Sequence, residues 1–310
     1  MRILFIGNTR IGDFILSSGL IAHLLEAYPN ARLTIACGYT CEPLTRHIPR
    51  VERVIAMRKT SFNRHWLKLW QQVCGTHWDL VIDLRNSAVS RLVRKNKVYR
   101  LVRPIGLHKV EEAARVLGLR PAPNPKIWIG EEHRAYARML IPDGMEVIGI
   151  GSGASHLFKR WPPENFAELC TRLIASDGLY PNAKIAVLGS PDERALAQPI
   201  FDHLAQDQVL DLMKRADLLQ AAAILERCAL YIGNDNGQMH LSAAMGAKTI
   251  GLFGPTPTAL YRLWGENCGF VCSQVPQAEL AAIEKKLGRD AQCLMEGVDV
   301  RQALAAIRTP

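Results

Sequence analysis

The stretch from Tyr231 to Pro255, YIGNDNGQMHLSAAMGAKTIGLFGP, restricts the fold more than any other part of the chain. It starts within the short apolar run Leu230–Ile232, which is typical of a buried strand, and continues into polar, turn-forming residues at 234–237. Met239–Met245 then resumes an apolar pattern at helical spacing, and Thr249–Phe253 is typical of a second strand. The stretch therefore predicts a strand–loop–helix–strand unit of an α/β protein.

The polar loop of this unit contains Asp235, and His240 follows it in the helix. In α/β proteins, a loop between the carboxyl end of a parallel strand and a helix is a common place for an anionic ligand. Free backbone N–H groups and the positive end of the helix dipole point there. An ordinary strand–helix connection is the alternative, and the two polar side chains favour a binding site.

The strand–loop–helix pattern occurs at the beginning of the chain and again in its middle. Arg2–Ile6 is typical of a strand, the loop Gly7–Gly12 and a helix follow it, and the pattern restarts at the strand Val147–Ile150. Such alternation predicts parallel sheets with helices on both faces. Because the proline-dense segment Arg120–Pro125 separates the two patterns in a chain of 310 residues, we expect two doubly wound domains, 1–140 and 141–310. The pattern leaves open whether the terminal helices, at 279–287 and 300–307, pack on the second domain or return to the first.

Two glycine loops are similar to nucleotide-binding motifs without completing them. Gly7–Gly12 begins like a P-loop, but Asp13 and Phe14 stand where Lys and Ser or Thr are required, and an acid there would repel phosphate. Gly149–Ala154 satisfies G-x-G-x-x-A, but Lys159–Pro162 separates it from its helix. We therefore expect neither an NTPase nor a nicotinamide site. Asp13 is a candidate general base, with a helix N-cap as the structural alternative.

The net charge of +9 is concentrated in the first half of the chain, mainly in Arg46–Arg64 and Arg85–Lys109. Such an excess favours an acidic partner, which could be nucleic acid, an anionic membrane surface or a phosphorylated substrate. No nucleic-acid-binding signature accompanies the bases, so we expect no nucleic-acid partner. The alternative is that these bases only solvate the surface.

The eight cysteines are scattered, and the two CxxxC pairs, Cys37/Cys41 and Cys268/Cys272, lack neighbouring ligands at zinc spacing. Reduced thiols in a cytoplasmic protein are therefore expected. No apolar run reaches the roughly 18 residues of a membrane span, and the N-terminus is typical of a first strand rather than a signal peptide.

The second domain carries the residues that a diphosphate requires. Lys159 supplies a point charge, Ser152 and Ser155 supply hydroxyl groups, and the helix after the polar loop supplies aligned N–H donors. One ion pair at about 4 Å and an effective dielectric near 20 contributes about 4 kcal/mol before desolvation. A single lysine could therefore matter greatly to a leaving diphosphate.

Three motifs together resemble glycosyltransferase family 9, the heptosyltransferases of lipopolysaccharide biosynthesis. They are RIGDFILSSGLIAHLL at Arg10–Leu25, KRWPPENFAEL at Lys159–Leu169 and GNDNGQMHLSAAMGAKTIGLFGPT at Gly233–Thr256. Their order and spacing match the family from residue 2 to about residue 265. Each motif alone is weak, whereas the three in order are specific.

The resemblance implies a GT-B fold, in which two Rossmann-like domains face each other across a cleft. It also implies a metal-independent, inverting transfer from an ADP-heptose-type donor to a lipopolysaccharide-core-type or other acidic glycan acceptor. No cofactor or metal is expected, and the enzyme would be cytoplasmic, with peripheral association at the inner membrane as an open possibility. Asp13 would be the base, with Arg10 and His108 as weaker acceptor-side candidates. The donor-side candidates are Gly12, Ser152, Ser155, Lys159, Glu193, Asp235, Asn236, Gly237 and His240.

The third motif departs from the family pattern, because Asn236 and Gln238 replace the usual Ser and Gly-Pro. Donor preference is therefore open. A sugar-nucleotide epimerase of GT-B fold and a non-catalytic nucleotide-sugar-binding protein are the alternative functions, and His108 would be the next candidate base if Asp13 only caps its helix.

Overall fold

A computed structural model describes residues 1–102, 106–213 and 216–308 and divides the chain into two compact units, Met1–Gly130 and Glu131–Pro310. The boundary therefore precedes Glu131, not residue 141 as the sequence suggested, because the helix Glu131–Leu140 packs against the helix Leu218–Glu226 of the second unit. Arg103, one of the bases of the Arg85–Lys109 segment, lies outside the described residues. Among the residues described, no helix has both the length and the apolar character that crossing a membrane would require.

The N-terminal unit contains one five-stranded parallel sheet in the order β3-β2-β1-β4-β5. The apolar side chains of the central strand β1 are fully buried, which explains why β1 lies in the middle of the sheet. The elements are β1 (Arg2–Ile6), α1 (Ile11–Ala27), β2 (Arg32–Gly38), β3 (Val51–Met57), α2 (Arg64–Val73), β4 (Trp78–Asp83), α3 (Val89–Leu92), β5 (Lys95–Arg100) and α4 (Lys109–Arg115).

The C-terminal unit contains a six-stranded parallel sheet in the order β11-β10-β9-β6-β7-β8. The strands are β6 (Val147–Gly151), β7 (Lys184–Val187), β8 (Val209–Asp211), β9 (Leu230–Asn234), β10 (Thr249–Phe253) and β11 (Cys268–Cys272). The helices are α5 (Glu131–Leu140), α6 (Pro163–Ile174), α7 (Arg194–His203), α8 (Leu218–Glu226), α9 (Gly237–Ala244), α10 (Thr258–Tyr261), α11 (Gln277–Leu287) and α12 (Val300–Arg308).

Both terminal helices pack on the C-terminal unit. The side chains of Ala303 and Ile307 on α12 belong to the same buried core as Phe166 on α6 and Val271 on β11. Leu280 on α11 packs with Phe158 in a smaller cluster. The sequence left the placement of these helices open, and their apolar faces are covered within this unit.

The elements at which the structure differs from the sequence prediction include α1, β8 and β11. α1 begins at Ile11, two residues earlier than expected, because Arg10 is the last residue in an extended conformation. Asp13 therefore lies in the first turn and is not the N-cap. The sequence also missed β8 and β11, which are short strands at the two edges of their sheet and only half-buried, so they lack a long apolar run.

Candidate functional site

The neighbouring strands β6 and β9 form the topological switch point of the C-terminal sheet. The chain leaves β6 towards β7 on one side and leaves β9 towards β10 on the other, so the two connections separate at the carboxyl ends of these strands. Doubly wound sheets bind their ligands in the crevice that results. Here the crevice is bordered by the loop at 152–155 after β6 and by Asp235 and Asn236 after β9.

Two asparagine side chains hold these loops together. The amide nitrogen Nδ2 of Asn234 donates to the carbonyl oxygen of Ser152 at 2.7 Å, and that of Asn236 donates to the carbonyl oxygen of Gly153 at 2.7 Å. The oxygen Oδ1 of Asn234, which is fully buried, also accepts from the backbone N–H of Trp161 at 3.1 Å. The side chains of Asn234 and Asn236 therefore connect the loop after β9 to the loop after β6 and to the segment at Trp161.

Asn236 is also the N-cap of α9. Its Oδ1 accepts from the backbone N–H groups of Gln238 at 2.9 Å and Met239 at 3.0 Å, which satisfies two of the four N–H groups that a helix N-terminus leaves unpaired. The departure from the family motif at 236 is thus a substitution of one good capping residue for another. Gln238 lies close to the hydroxyl of Tyr231, with 3.4 Å between the two oxygens.

Two glycines at the end of β6 and in the loop after it leave room for neighbouring polar side chains. A Cβ atom on Gly151 would lie 1.9 Å from the hydroxyl oxygen of Tyr231, and one on Gly153 would lie 2.1 Å from Oε1 of Glu193. The carboxylate of Glu193 accepts from the backbone N–H of Ser190 at 2.9 Å and from its hydroxyl at 3.1 Å. Glu193 therefore belongs to the same crevice as the predicted donor residues, held there by its capping box.

The central polar contact of the crevice is the ion pair between Lys159 Nζ and Asp235 Oδ2. The two side chains are 23% and 7% exposed, so the pair is largely removed from water. The hydroxyl of Ser152 is also buried, and within the described part of the chain it has no hydrogen-bond partner. His240 is buried in α9, whereas Ser155 is exposed. A lysine, an acid and an unsatisfied hydroxyl at a switch point are a suitable set for an anionic sugar derivative.

The turn that carries Lys159 rests on the segment 289–298 near the C-terminus. The backbone N–H of Leu157 donates to Oδ1 of Asp290 at 3.0 Å, and His156 lies 3.3 Å from Oδ2 of the same carboxylate. Backbone bonds join Phe158 to this segment, and the indole N–H of Trp161 donates to the carbonyl oxygen of Val298 at 2.7 Å. Asp290 thus caps the 3-10 turn Leu157–Lys159 from a distant part of the chain. Asp290 was not among the residues predicted from the sequence, because no local pattern marks such a contact.

We expect Asp290→Ala to weaken the binding of a nucleoside diphosphate by about threefold to tenfold, because the loss of one charged hydrogen bond loosens the turn that positions Lys159. Titration calorimetry would measure the effect for ADP and for adenosine. Asp290→Asn is the matched control, since its side-chain oxygen can still accept from Leu157. In a Lys159→Ala background, Asp290→Ala should have no further effect, and a persistent effect there would contradict a role through Lys159.

In the N-terminal unit, the switch point lies between β1 and β4, and the chain after β1 leads to Asp13. Burial raises the pKa of the Asp13 carboxyl. The positive charges of Arg10, Lys109 and Arg85 oppose this shift, with Arg10 having the largest effect of the three. The negative charge of Glu112 adds slightly to the increase in pKa. A half-buried carboxylate with a raised pKa is a stronger base than an ordinary aspartate, so it is suited to accept a proton.

The sequence placed Arg85 and Lys109 in a basic segment but did not predict their effect on Asp13, because they come from different elements, the loop after β4 and the start of α4. Of the weaker candidates, Arg10 is exposed at the residue before α1. His108 is buried, and its Nδ1 accepts from the backbone N–H of Val110 at 3.2 Å, so it caps α4. Gly12 lies in the first turn of α1, in the N-terminal unit, whereas the other donor-side candidates all belong to the C-terminal unit.

Comparison with known proteins matches this chain to one family. The model of glycosyltransferase family 9 (heptosyltransferase) matches residues 102–289. The lipopolysaccharide heptosyltransferase 2 of Escherichia coli K12 is 26% identical over an alignment of 298 positions, which covers 83% of this chain and 83% of the relative. The crystal structure of a family 9 glycosyl transferase from Veillonella parvula superposes with a TM-score of 0.78 at 21% identity and covers 99% of this chain and 96% of its own. The E. coli ADP-heptose lps heptosyltransferase II superposes with a TM-score of 0.73 at 19% identity, over 99% and 97% of the two chains. The GT-B fold expected from the motifs is thereby confirmed.

Proposed function

Because the chain belongs to glycosyltransferase family 9, we propose that it transfers a heptose-like sugar from an ADP-sugar donor to an acidic glycan acceptor of the lipopolysaccharide-core type. The names of its relatives, an ADP-heptose heptosyltransferase and a lipopolysaccharide heptosyltransferase, support this choice of donor and acceptor. The observation that carries the proposal is the buried Lys159–Asp235 ion pair at the switch point of β6 and β9.

On the donor side, we assign the diphosphate to Lys159 and to the hydroxyl of Ser152. In the free protein the ammonium of Lys159 is neutralised by Asp235, so a diphosphate would compete for it and leave Asp235 available to hydroxyl groups of the sugar. The Glu193 carboxylate, which is fixed against Gly153, is suited to hydrogen-bond the two hydroxyls of a ribose. Asn236, Gly237 and His240 complete the proposed donor set.

On the acceptor side, we assign Asp13 as the general base of an inverting, single-displacement transfer. The acceptor hydroxyl oxygen forms a bond to the anomeric carbon while the bond from that carbon to the diphosphate breaks. The hydroxyl proton passes to Asp13, and the charge that develops on the leaving diphosphate is stabilised by Lys159. The neighbouring Arg10 and Arg85 are suited to an acceptor that carries carboxylate or phosphate groups.

The proposed reaction needs no metal, because Lys159 and the crevice N–H groups supply the positive charge that the leaving group requires. We expect ADP release from ADP-heptose to depend on the acceptor and to proceed unchanged in EDTA. Coupled detection of ADP, with and without a lipopolysaccharide-core acceptor, measures both points. Loss of activity in EDTA that magnesium restores would contradict the metal-independent mechanism.

The same assay separates the alternative functions. An epimerase would convert the nucleotide sugar without any acceptor, which chromatography of the donor would reveal. A non-catalytic binding protein would bind ADP in calorimetry but release none from the sugar nucleotide. Acceptor-dependent release excludes both alternatives.

A further inference from the structure

The backbone at Phe62 has an unusual conformation that exposes the side chain to solvent. Its side chain is 96% exposed, and it has a φ of 55°, followed by Asn63 with a φ of 56°. A left-handed conformation is rare for a bulky aromatic residue and persists only where neighbouring bonds impose it. Here the hydroxyl of Thr60 accepts from the backbone N–H of His65 at 2.9 Å, and its carbonyl oxygen accepts from that of Asn63 at 3.2 Å. The turn therefore presents Phe62 outward instead of letting it fold back on the protein.

The surroundings of Phe62 are strongly basic. Between Glu52 and Asp79 the sequence has no acid, and it has the exposed cations Arg58, Lys59 and Arg64. In the sequence, Phe62 lies three residues after Lys59 and two residues before Arg64. An exposed aromatic side chain between cations is the pattern of a surface that meets an anionic membrane, because the ring enters the acyl boundary while the cations meet the lipid phosphates.

Two further side chains extend this surface along the carboxyl edge of the N-terminal sheet. The guanidinium of Arg58 lies 3.7 Å from the ring centre of Tyr39, which follows β2 and is 51% exposed. Arg85, after β4, and Lys59, after β3, both lower the pKa of His65, behind the larger effect of its burial. We call Tyr39, Arg58, Lys59, Phe62, Arg64 and Arg85 the basic aromatic edge. Asp13 follows β1 at the same edge of the sheet, since the strands are parallel.

We propose that the basic aromatic edge docks on an anionic phospholipid bilayer, with Phe62 as the inserted side chain. The inference rests on the proposed function in one respect, because a lipid-linked acceptor would then be presented at the edge that carries Asp13. Exposing a phenyl ring to water is unfavourable, so a surface whose bases only interact with solvent does not account for the exposed Phe62. The attraction between the cations and the lipid phosphates does not depend on Phe62, so the contributions of the ring and of the cations can be tested separately.

The test is co-sedimentation of the full chain with vesicles of phosphatidylcholine, with and without phosphatidylglycerol. We expect binding only to the anionic vesicles. Phe62→Ser should weaken it about tenfold, because burial of an aromatic side chain contributes at least that factor. Met139→Ser is the matched control, since Met139 is 68% exposed on α5 of the other unit and should have no effect.

The charge of the surface is tested with a matched pair of double variants. Lys59→Glu/Arg64→Glu should weaken binding by about 25-fold or more, at about fivefold for each cation lost. Lys285→Glu/Lys286→Glu makes the same change of net charge on the exposed face of α11 and should change binding less than threefold or so. High salt should reduce the binding of the wild type.

Three results would overturn the proposal. Equal losses of vesicle binding in the two double variants would mean that only the net charge matters. An unchanged affinity of Phe62→Ser for anionic vesicles would mean that the Phe62 ring does not insert. Equally tight, Phe62-dependent binding to single-stranded RNA would identify a nucleic-acid surface instead. ADP calorimetry on the same variants separates this proposal from the transferase function, because vesicle binding requires no donor. If ADP fails to bind while vesicles do, only the function assigned above is wrong.

Discussion

Asp13→Asn should slow sugar transfer by at least about 10²-fold, which corresponds to about 3 kcal/mol of activation barrier. An amide cannot accept the proton of the acceptor hydroxyl, while its shape is the same as that of the acid. Donor binding should be unchanged, because the assigned donor contacts lie in the other unit. The loss should therefore appear in kcat with the KM for the donor preserved, as steady-state kinetics would measure.

The same variant should remain fully folded. Because burial raises the pKa of Asp13 in the folded protein above its unfolded value, ionisation of this group favours the unfolded chain once the pH exceeds the unfolded pKa. At neutral pH, Asp13→Asn removes that unfavourable ionisation, so the Tm should not fall. Asp13 is also not the N-cap of α1, so no capping bond is lost.

The pH dependence gives a second measure of Asp13. As the proposed base, Asp13 acts as the carboxylate, so kcat/KM should decrease as the pH falls through the raised pKa of this group. The acidic limb of the profile should be absent in Asp13→Asn. Glu26→Gln, on the exposed end of the same helix, is the matched control and should retain both rate and profile. A stable Asp13→Asn that transfers at the wild-type rate would exclude Asp13 as the base.

Lys159→Ala should weaken ADP binding by about 10²-fold and adenosine binding by less than about threefold. The direct ionic attraction to a diphosphate is about 4 kcal/mol at 4 Å before desolvation, and adenosine has no charge for the lysine to meet. The variant also leaves the carboxylate of Asp235, which is 7% exposed, without its cation and next to the ligand phosphates. Calorimetry with the two ligands would measure the difference.

Removal of Lys159 should also destabilise the C-terminal unit by up to about 3–5 kcal/mol, because it leaves a buried carboxylate unpaired. The double variant Lys159→Ala/Asp235→Asn should recover much of that stability without recovering ADP affinity, which separates folding from binding. Lys286→Ala, an exposed lysine of the same unit, is the control and should change neither quantity. Equal losses for ADP and adenosine would place the phosphates elsewhere.

The alternation of strands and helices and the loops that border the C-terminal crevice followed from the sequence. Continuous apolar runs such as Ile3–Ile6 and Leu230–Ile232 are typical of strands that are buried on both faces of a parallel sheet. The loops that follow such strands lie at one edge of the sheet. That physical constraint is local, so the order of residues alone was enough to select Lys159, Ser152 and Asp235. It also identified Asp13 as a functional candidate, although the start of its helix was displaced by two residues.

Tertiary structure alone decided which residues surround these candidates. Arg85 and Lys109 approach Asp13 from separate elements, and Asp290 caps the turn of Lys159 from more than a hundred residues away in sequence. The edge strands β8 and β11 and the assignment of helix α5 to the C-terminal unit likewise depend on which neighbours cover them. A local pattern records the burial and periodicity of a segment, whereas a charge or hydrogen bond between distant segments arises only when the sheet order brings them together.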